Sequence, residues 1–287
     1  SGTTGEPKGV MLSHKNLAWT ASQTRVAAGG WVSSEDVIVS YLPLSHIAEQ
    51  SFSIYLPATY GCPVWFAERV EMLKETLLAA RPTIFLAVPR VWEKFQGALE
   101  AKLAEKPLPL RLIAAGARRG LSAVEGRRFE GRMVGPLAPL GALAERLFSR
   151  KLKAALGLDR LKLAVTGAAP IGRETLEFFM SCGVVIHEVY GQSEGSGPSS
   201  FNQPRPGGRR LGTVGLPFPG VELRIAEDGE ICVRGENVFL GYYKNPEATA
   251  EALVDGWLLS GDVGRFDEDG FLMITDRKKD LIITAGG

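Results

Sequence analysis

The chain has 287 residues, of which 45% are hydrophobic and 23% charged, with a formal net charge of +1. This length supplies enough apolar material for one large domain or two modest ones. The near-zero charge argues against a nucleic-acid-binding protein, because such domains are usually strongly basic. The sequence contains no run of about 18 apolar residues that would predict a membrane span. It also shows no basic and apolar leader of the kind found in signal peptides. The three widely spaced cysteines fit neither a disulfide framework nor a zinc site, which favours a reducing compartment such as the cytoplasm.

The charge is unevenly distributed along the chain. Residues 101–162 contain 14 Lys and Arg and 5 acidic residues, a net charge of +9, whereas the remainder carries −8. Such asymmetry predicts a basic surface for an anionic lipid or a phosphorylated ligand. The alternative is a solvated helical insertion from an Arg-rich proteome. Peripheral contact with an anionic membrane through residues 101–162 is therefore a hypothesis, and the oligomeric state stays open.

Strand-like and helix-like segments alternate through the first part of the chain. The order is strand 36–42, helix 47–60, strand 63–67, helix 71–80, strand 83–88 and helix 90–104. Residues 107–160 interrupt this order with Pro and Gly around basic helical stretches, which is typical of an insertion. The order then resumes with strand 161–166, helix 173–181 and strand 184–190. This alternation predicts a parallel sheet with crossover helices, and so an α/β fold.

The composition changes after Pro198, where Pro and Gly become frequent. Two alternating segments, 221–225 and 230–234, flank Asp228-Gly229, and a DG turn between such segments is a strong hairpin signal. Asp269-Gly270 repeats this arrangement before strand 271–275. We therefore predict an α/β portion over 1–200, with its basic helical insertion at about 101–160, followed by a small antiparallel, β-barrel-like unit over 201–275.

The strongest chemical signal is the first segment of the chain, SGTTGEPKG. Its glycines permit close backbone approach to a ligand, its hydroxyls can donate to anionic oxygens, and its lysine supplies a point charge. The residues concerned are Ser1, Gly2, Thr3, Thr4, Gly5 and Lys8. This combination suits a polyphosphate, although the spacing differs from that of a P-loop. A purely structural Gly/Thr turn is the alternative.

Together with the following VMLSH, this segment resembles the phosphate-binding signature of the adenylate-forming superfamily, which includes acyl-CoA synthetases, luciferases and peptide-synthetase adenylation domains. Five further segments resemble motifs of that superfamily in the same order. They are LPLSH at 42–46, GAAP at 167–170, YGQSE at 190–194 with Ser193 in place of Thr, GWLLSGD at 256–262 with Ser260 in place of Thr, and DRKKD at 276–280. By this resemblance, residues 276–287 form a hinge towards a C-terminal domain.

A finer resemblance favours long-chain acyl-CoA synthetases of the bubblegum-type and very-long-chain group. It is carried by YLPLSHI at 41–47, VPRVWEK at 88–94, LIITAGG at 281–287 and the insertion between Lys94 and Gly167. Residues 45–53 contain no Asp that would match the amine-binding Asp of amino-acid adenylation domains. This argues against an amino acid as the substrate. The resemblance implies ATP-dependent activation of a long-chain fatty acid to acyl-adenylate and then, with coenzyme A, to acyl-CoA.

The resemblance also implies a role for each matching residue. Glu194 would bind Mg²⁺ with the Thr3 hydroxyl nearby, Lys8 would hold the β- and γ-phosphates, and His46 would orient the carboxylate. Asp262 would accept hydrogen bonds from the ribose, Arg277 would contact the ribose or α-phosphate, and Tyr190 would stack on adenine. The implied nucleotide-binding set is Ser1, Gly2, Thr3, Thr4, Gly5, Lys8, Gly167, Ala168, Ala169, Tyr190, Gly191, Ser193, Asp262 and Arg277.

Each residue considered alone has a structural alternative. Glu194 could be a helix-start carboxylate, Tyr190 a core residue at a strand end, and His46 a structural histidine. Residues 54–55 and 84–86 could line an acyl tunnel or belong to the core. The sequence does not specify the acyl chain length. Two rival hypotheses remain, namely a ligase that passes the acyl group to a carrier protein, and a non-catalytic nucleotide- or lipid-binding remnant.

The chain begins without Met and ends at Gly286-Gly287 without a closing element. We expect it to be an excerpt that lacks both ends of the enzyme, including the C-terminal domain and the lysine that this domain brings to adenylation. An isolated chain of this kind is therefore predicted to have weak or no ligase activity.

Overall fold

A computed structural model describes residues 7–129, 131–135 and 138–278. The described strands are β1 (Val10–Met11), β2 (Ile38–Ser40), β3 (Val64–Phe66), β4 (Ile84–Leu86), β5 (Leu163–Thr166), β6 (Ile186–Gln192), β7 (Gly197–Phe201), β8 (Leu216–Pro217), β9 (Glu222–Ile225), β10 (Glu230–Arg234), β11 (Gly241–Tyr242), β12 (Leu253–Val254), β13 (Trp257–Phe266) and β14 (Leu272–Arg277). The described helices are α1 (His14–Ala27), α2 (Ile47–Gln50), α3 (Leu56–Tyr60), α4 (Leu73–Ala80), α5 (Pro89–Ala104), α6 (Leu108–Phe129), α7 (Ala138–Ala144), α8 (Arg150–Leu156), α9 (Arg173–Ser181) and α10 (Pro246–Ala252).

A seven-stranded, largely parallel sheet is the centre of the α/β portion. Its strand order is β3-β2-β4-β5-β6-β7-β8. The five strands from β3 to β6 in this order are mutually parallel, and β7 and β8 join them antiparallel. The predicted α/β fold is confirmed. The sheet continues past residue 200, because β8 pairs with β7 through Phe201 and Leu216, so the proposed division at residue 200 stays a prediction.

Strand β4 is apolar along its whole length because helices cover both faces of the sheet. Successive residues of β4 alternate between the two faces. Phe85 packs in one core with Trp92 of α5 and Phe179 of α9. Its neighbours Ile84 and Leu86 pack in the second core, against the end of α1 and against α3. The sheet is thus the middle layer of three.

The helix predicted over 47–60 is present as α2, a π-helical turn at Ser51–Tyr55, and α3. It ends at Gly61, which adopts a positive φ of 74°. A buried carboxylate fixes the first half of this helix. Glu49, 2% exposed, accepts hydrogen bonds from the Ser40 and Ser53 hydroxyls, both at 2.5 Å.

A second, antiparallel sheet forms the β unit. Its strands run in the order β12-β13-β10-β9, and β14 also pairs with β13. Both predicted DG turns are present. The amide of Gly229 donates to the Ala226 carbonyl at 2.9 Å, and that of Gly270 donates to the Asp267 carbonyl at 3.1 Å. The short strands β1 and β11 pair separately, through Val10 with Tyr242 and Met11 with Gly241.

The region predicted as a basic insertion is mostly helical in its described residues and contains α6, α7 and α8. Among the described residues, none of the helices combines the length and the apolar character needed to cross a bilayer. Cys62, Cys182 and Cys232 are buried free thiols. Of the predicted site, Ser1, Gly2, Thr3, Thr4, Gly5 and the hinge residues after Lys278 lie outside the described residues.

Candidate active site

A tyrosine, an aspartate and an arginine meet where β6 approaches the second sheet. The Tyr190 hydroxyl donates to Asp262 Oδ2 at 2.8 Å, and Arg277 Nε lies 3.7 Å from Asp262 Oδ1. Asp262 and Arg277 are directly opposed residues of β13 and β14, so the hairpin itself brings the two charges together. Burial raises the pKa of Asp262, while the Tyr190 hydroxyl and the Arg277 charge act in the opposite direction.

A second group of side chains surrounds Glu194, which is 5% exposed and follows β6 in a tight turn at Ser193–Gly195. The Tyr242 hydroxyl donates to Glu194 Oε1 at 2.8 Å. Lys8 Nζ lies 4.9 Å from the centre of the Tyr242 ring, a cation–π contact. Burial and the negative charge of Glu194 both raise the pKa of Tyr242, so its hydroxyl keeps its proton and remains a donor.

Backbone pairing holds this second group in place. The amide of Tyr243 donates to the Gly9 carbonyl at 2.7 Å, and that of Leu240 donates to the Met11 carbonyl at 2.9 Å. The amide of Phe239 donates to the Glu194 carbonyl at 2.8 Å. The segment that carries Lys8, the segment that carries Tyr242 and the turn that carries Glu194 are therefore bonded to one another.

The two groups are close to each other along the chain. Tyr190 and Glu194 are four residues apart, and four residues span at most about 14 Å. Lys8, Glu194, Asp262 and Arg277, which the sequence places in four separate motifs, thus converge around the end of β6. This is the position at which open α/β sheets generally bind ligands, in the crevice beyond the carboxyl ends of the strands.

Close backbone packing shapes the edge of this crevice. A Cβ atom on Gly191 would lie 1.7 Å from the Gly197 carbonyl oxygen, and one on Gly167 would lie 2.8 Å from that of Val189. Ala168 has a φ of 70°, which costs roughly 1–2 kcal/mol for a residue with a Cβ atom. Ala169 follows in the same loop and is exposed, and Ser193 begins the turn that carries Glu194.

An apolar cavity of about 100 Å³ lies beside the crevice, along one face of the sheet. Ile84, Leu86 and Val88 line it from β4 and its extension, and Leu163 and Val165 line it from β5. The residues at 84 and 88 are four positions apart, so the chain segment that lines the cavity here is roughly 13 Å long. His46, Gly167, Ala168 and Gly191 line it at the carboxyl ends of the strands, and Ala27 and Ala28 line it from the end of α1.

His46 lies at the junction between the crevice and the cavity, where it precedes the first turn of α2. Its Nδ1 atom is buried and forms no hydrogen bond with any of the described residues. A buried polar atom of this kind normally has a partner. The position therefore suits a ligand group that enters from the crevice.

Some of the candidate tunnel residues line the cavity, and the others do not. Ile84 and Leu86 line the cavity, whereas Phe85 points to the opposite face of the sheet and belongs to the other core. Ile54 is 42% exposed. The Tyr55 hydroxyl donates to Gln50 Oε1 at 2.6 Å, and neither Ile54 nor Tyr55 lines the cavity.

Three polar residues that support the site were not predicted. Tyr242 contacts both Lys8 and Glu194. Glu49 also accepts a hydrogen bond from the Leu42 amide at 3.2 Å, at the start of the loop that ends in His46. Glu230 accepts hydrogen bonds from the Gly261 amide at 2.8 Å and from Lys278 Nζ at 2.6 Å. Its partners are the neighbours of Asp262 and Arg277.

The donor chemistry around Glu194 is suited to a hard divalent cation. Within the described part of the chain, no three His, Cys, Asp or Glu side chains group together as metal ligands. Mg²⁺ needs no such group, since it is usually bound through one or two carboxylates, phosphate oxygens and water. The described residues thus provide one fitting ligand, while Thr3 lies outside them.

Comparison with known proteins is consistent with these features. The model of the AMP-binding enzyme family matches residues 1–243. The chain is 43% identical over 302 aligned positions to long-chain-fatty-acid–CoA ligase ACSBG2 of Gallus gallus, covering 100% of this chain and 38% of that protein. It is 40% identical over 294 positions to the putative fatty-acid–CoA ligase fadD11 of Mycobacterium tuberculosis, covering 100% of this chain and 50% of that protein. The chain therefore spans about two fifths to half of the length of these relatives.

Solved structures share the fold. A malonyl-CoA ligase with methylmalonyl-CoA and AMP bound superposes with a TM-score of 0.69 at 28% identity, covering 97% of this chain and 51% of that one. O-succinylbenzoate coenzyme A synthetase from Bacillus subtilis, in complex with ATP and magnesium, gives a TM-score of 0.70 at 24% identity, covering 100% of this chain and 50% of that one. The fold is that of adenylate-forming enzymes. The chain belongs to the AMP-binding enzyme family.

Proposed function

We propose that the protein containing this chain is an AMP-forming fatty acid–CoA ligase that activates long-chain fatty acids in the cytoplasm. The observation that carries this proposal is the position of His46 between a charged crevice and an apolar cavity. A fatty acid has a carboxylate at one end and an apolar chain at the other. An adjoining polar crevice and apolar cavity match those two ends.

The apolar cavity supports a fatty substrate. Burial of an alkyl chain contributes about 0.8 kcal/mol per CH₂ group, so a long chain gains substantial binding free energy from a wall of Ile84, Leu86, Leu163 and Val165. One extra methylene changes the free energy by only about 1–3 kcal/mol. The ligase is therefore expected to accept a range of chain lengths.

In the proposed first step, a carboxylate oxygen of the fatty acid attacks the α-phosphorus of ATP. An O–P bond forms, the bond between the α-phosphorus and the bridging oxygen breaks, and pyrophosphate leaves. The carboxylate is already ionised near neutral pH, so no general base is needed. The barrier arises from the approach of two anions, and the residues act by positioning and by neutralising charge.

We assign the roles from the contacts of each residue. Lys8 is the cation for the β- and γ-phosphates, and Glu194 holds the metal, with Tyr242 orienting its carboxylate through Oε1. Bound Mg²⁺ would neutralise phosphate charge as the reactants meet. Asp262 accepts hydrogen bonds from the ribose, Arg277 faces the ribose or α-phosphate, and His46 orients the substrate carboxylate. Tyr190, with Gly167, Ala168, Ala169, Gly191 and Ser193, forms the adenine side.

In the proposed second step, the thiol of coenzyme A attacks the carbonyl carbon of the acyl-adenylate. The thiol loses its proton to water, a thioester bond forms, the bond between the carbonyl carbon and the phosphate oxygen breaks, and AMP leaves. The names of the relatives support coenzyme A as the acceptor. Transfer to a carrier protein remains the alternative within the same chemistry.

The test uses the complete natural protein. With a long-chain fatty acid and ATP it should catalyse ATP–pyrophosphate exchange, and added coenzyme A should give thioester and AMP. Glu194→Gln should reduce the exchange by about a hundredfold or more. Glu177→Gln, a change in a half-exposed carboxylate paired with Arg173 on α9, is the matched control.

Three outcomes would contradict parts of this proposal. Pyrophosphate release without thioester would exclude coenzyme A as the acceptor. Nucleotide binding without pyrophosphate release would indicate a non-catalytic remnant. Full exchange activity in Glu194→Gln would exclude the metal-binding role of Glu194.

We also infer peripheral contact between an anionic membrane and the basic insertion, residues 101–162. The net positive charge of this segment supports the inference. Membranes are also the phase in which long-chain fatty acids concentrate.

A further inference from the structure

The two halves of α6 have different surroundings. In the second half, Leu121 and Val124 are each 2% exposed and pack in the protein interior. The first half is open to solvent although it is rich in large apolar residues. The exposed side chains are Leu108 at 64%, Leu110 at 51%, Leu112 at 65% and Ile113 at 62%. Single exposed apolar residues are ordinary, but a contiguous group of them marks an interaction site.

One residue near the middle of α6 fixes its orientation. The Arg118 guanidinium lies 4.5 Å from the centre of the Phe178 ring, and its Nε donates to Ser181 Oγ at 2.9 Å. Both partners belong to α9, which packs under the central sheet. The half of α6 before this contact is joined to α5 by a short turn, in which the Leu110 and Arg111 amides donate to the Pro107 carbonyl. We call residues 102–113, the end of this helical hairpin, the α5–α6 tip.

The α5–α6 tip carries positive charge next to its apolar residues. Between residues 101 and 119 there are five basic residues and one acidic residue, Glu105. Lys102, Lys106 and Arg111 are exposed within the tip, and Arg119 is exposed two turns further along α6.

The helix geometry places these two kinds of side chain side by side. Leu108, Leu112 and Arg119 lie on one face of α6, at positions i, i+4 and i+11. Arg111 lies about 60° from Leu108 on one side of that face, and Ile113 lies about 100° from Leu112 on the other side. An exposed apolar stripe bordered by Lys and Arg is the pattern of a helix that lies in the interface of a membrane.

We propose that the α5–α6 tip docks on the surface of an anionic lipid membrane. Leu108, Leu112 and Ile113 enter the boundary between head groups and acyl chains, and Lys102, Lys106 and Arg111 contact lipid phosphates. This inference rests on the membrane contact proposed above for residues 101–162 and assigns that contact to the α5–α6 tip. The contact itself follows from the exposed apolar residues and their flanking charges.

The charge complementarity favours a membrane over a protein partner. Each Lys or Arg near an anionic membrane surface contributes about fivefold in affinity, and the apolar side chains add to this without needing a shaped partner surface. The described tip is the end of a helical hairpin, and its exposed apolar and basic side chains can both be accommodated at the head-group boundary.

The experiment measures cosedimentation of the complete protein with vesicles, without ATP or fatty acid. The vesicles are phosphatidylcholine alone and phosphatidylcholine with phosphatidylglycerol in equal parts. We expect binding to the anionic vesicles, weaker binding to the neutral ones, and a decrease in affinity as salt is added. Leu112→Glu with Ile113→Glu should reduce binding to anionic vesicles by at least about tenfold. Lys106→Ala with Arg111→Ala should do the same.

Leu143→Glu is the matched control, since Leu143 is 54% exposed on α7 of the same insertion but lies outside the tip. Its binding should equal that of the unchanged protein. ATP–pyrophosphate exchange with a short, water-soluble acid should also be unaffected in the tip variants, which separates a failure of docking from a failure of the proposed function.

Several results would overturn the proposal. One is equal binding to both kinds of vesicle. Another is an equal loss in Leu143→Glu and in the tip variants. Absence of vesicle binding by the unchanged protein would also overturn it, and would indicate that the tip is covered by another part of the longer protein or by a protein partner.

Discussion

Glu188 is a half-buried acid on β6, two residues before Tyr190. It lies in a row across the sheet between Thr166, its register partner on β5, and Asn202, whose Nδ2 is 3.5 Å from Glu188 Oε2. Burial raises the pKa of Glu188 from its usual 4.5 to about 8. The folded protein therefore keeps a proton on this carboxyl near neutral pH, whereas the unfolded chain releases it.

The sign of the resulting pH dependence follows from this difference. The folded state binds the proton more tightly, so the contribution of Glu188 to stability is fully present below about pH 4.5 and is lost as the pH rises towards 8. Each pKa unit corresponds to 1.36 kcal/mol, so the interval from 4.5 to about 8 sets an upper limit of about 5 kcal/mol. The side chain is partly exposed, and access of water reduces this limit. We expect a loss of about 2–3 kcal/mol.

Glu188→Gln keeps the shape of the side chain and removes its titration. The free energies of unfolding of the unchanged protein and the variant should be measured in urea at about pH 5 and about pH 9. From about pH 5 to about pH 9, the free energy of unfolding of the unchanged protein should fall by about 2–3 kcal/mol relative to that of the variant. This corresponds to roughly 4–10 °C in Tm. Glu177→Gln, at a half-exposed carboxylate, is the control. Parallel pH profiles for the unchanged protein and Glu188→Gln would refute the reasoning.

Further substitutions test the three residues that support the site. Tyr242→Phe removes the hydroxyl bonded to Glu194 and keeps the ring beneath Lys8. Since a hydrogen bond to a charged group contributes about 1.5–3 kcal/mol, the affinity for ATP with Mg²⁺, measured by calorimetry, should fall by at least about tenfold. Unchanged affinity would contradict the orienting role of Tyr242. Glu49→Ala leaves the Ser40 and Ser53 hydroxyls and the Leu42 amide without their acceptor, so urea unfolding should show a loss of about 2–4 kcal/mol, and a loss below about 0.5 kcal/mol would count against it. Glu230→Gln retains an acceptor for the Gly261 amide but removes the charge facing Lys278, so the affinity for ATP should fall severalfold. Lys278→Gln should produce the same loss. Additive losses in the double variant would show that Glu230 and Lys278 do not act as a pair.

The buried strands were predictable because their signal is local. The apolar, β-branched runs around β2, β4 and β5 led to predicted strands that begin or end only one or two residues away from the observed ones. The DG turns were predictable for the same reason, since the turn type depends on the residues within it. Strand β7 was not predicted. Its sequence, GPSSF, has little apolar pattern, and it becomes a strand because it pairs with β6.

The site was predictable only where family motifs cover it. These motifs identified Tyr190, Glu194, Asp262 and Arg277, which converge. Tyr242 is 48 residues from Glu194 in the sequence, so no spacing connects the two. The sequence left residues 84–86 open between an acyl tunnel and the core, and strand geometry decides between the two at Phe85. Adjacent residues of a strand point to opposite faces, so Phe85 cannot line a cavity that Ile84 and Leu86 line.

The pairing of β1 with β11 has a consequence for how the protein is made. The backbone of Val10 pairs with that of Tyr242, which follows about 230 residues later in the sequence. During synthesis, the segment with Lys8 leaves the ribosome long before the strand that will hold it. Contacts between such distant residues form late in folding, because closing so long a loop is entropically costly. The last strand of the seven-stranded sheet, β8, ends at Pro217, so this sheet can be complete before the strand that pairs with the Lys8 segment is made.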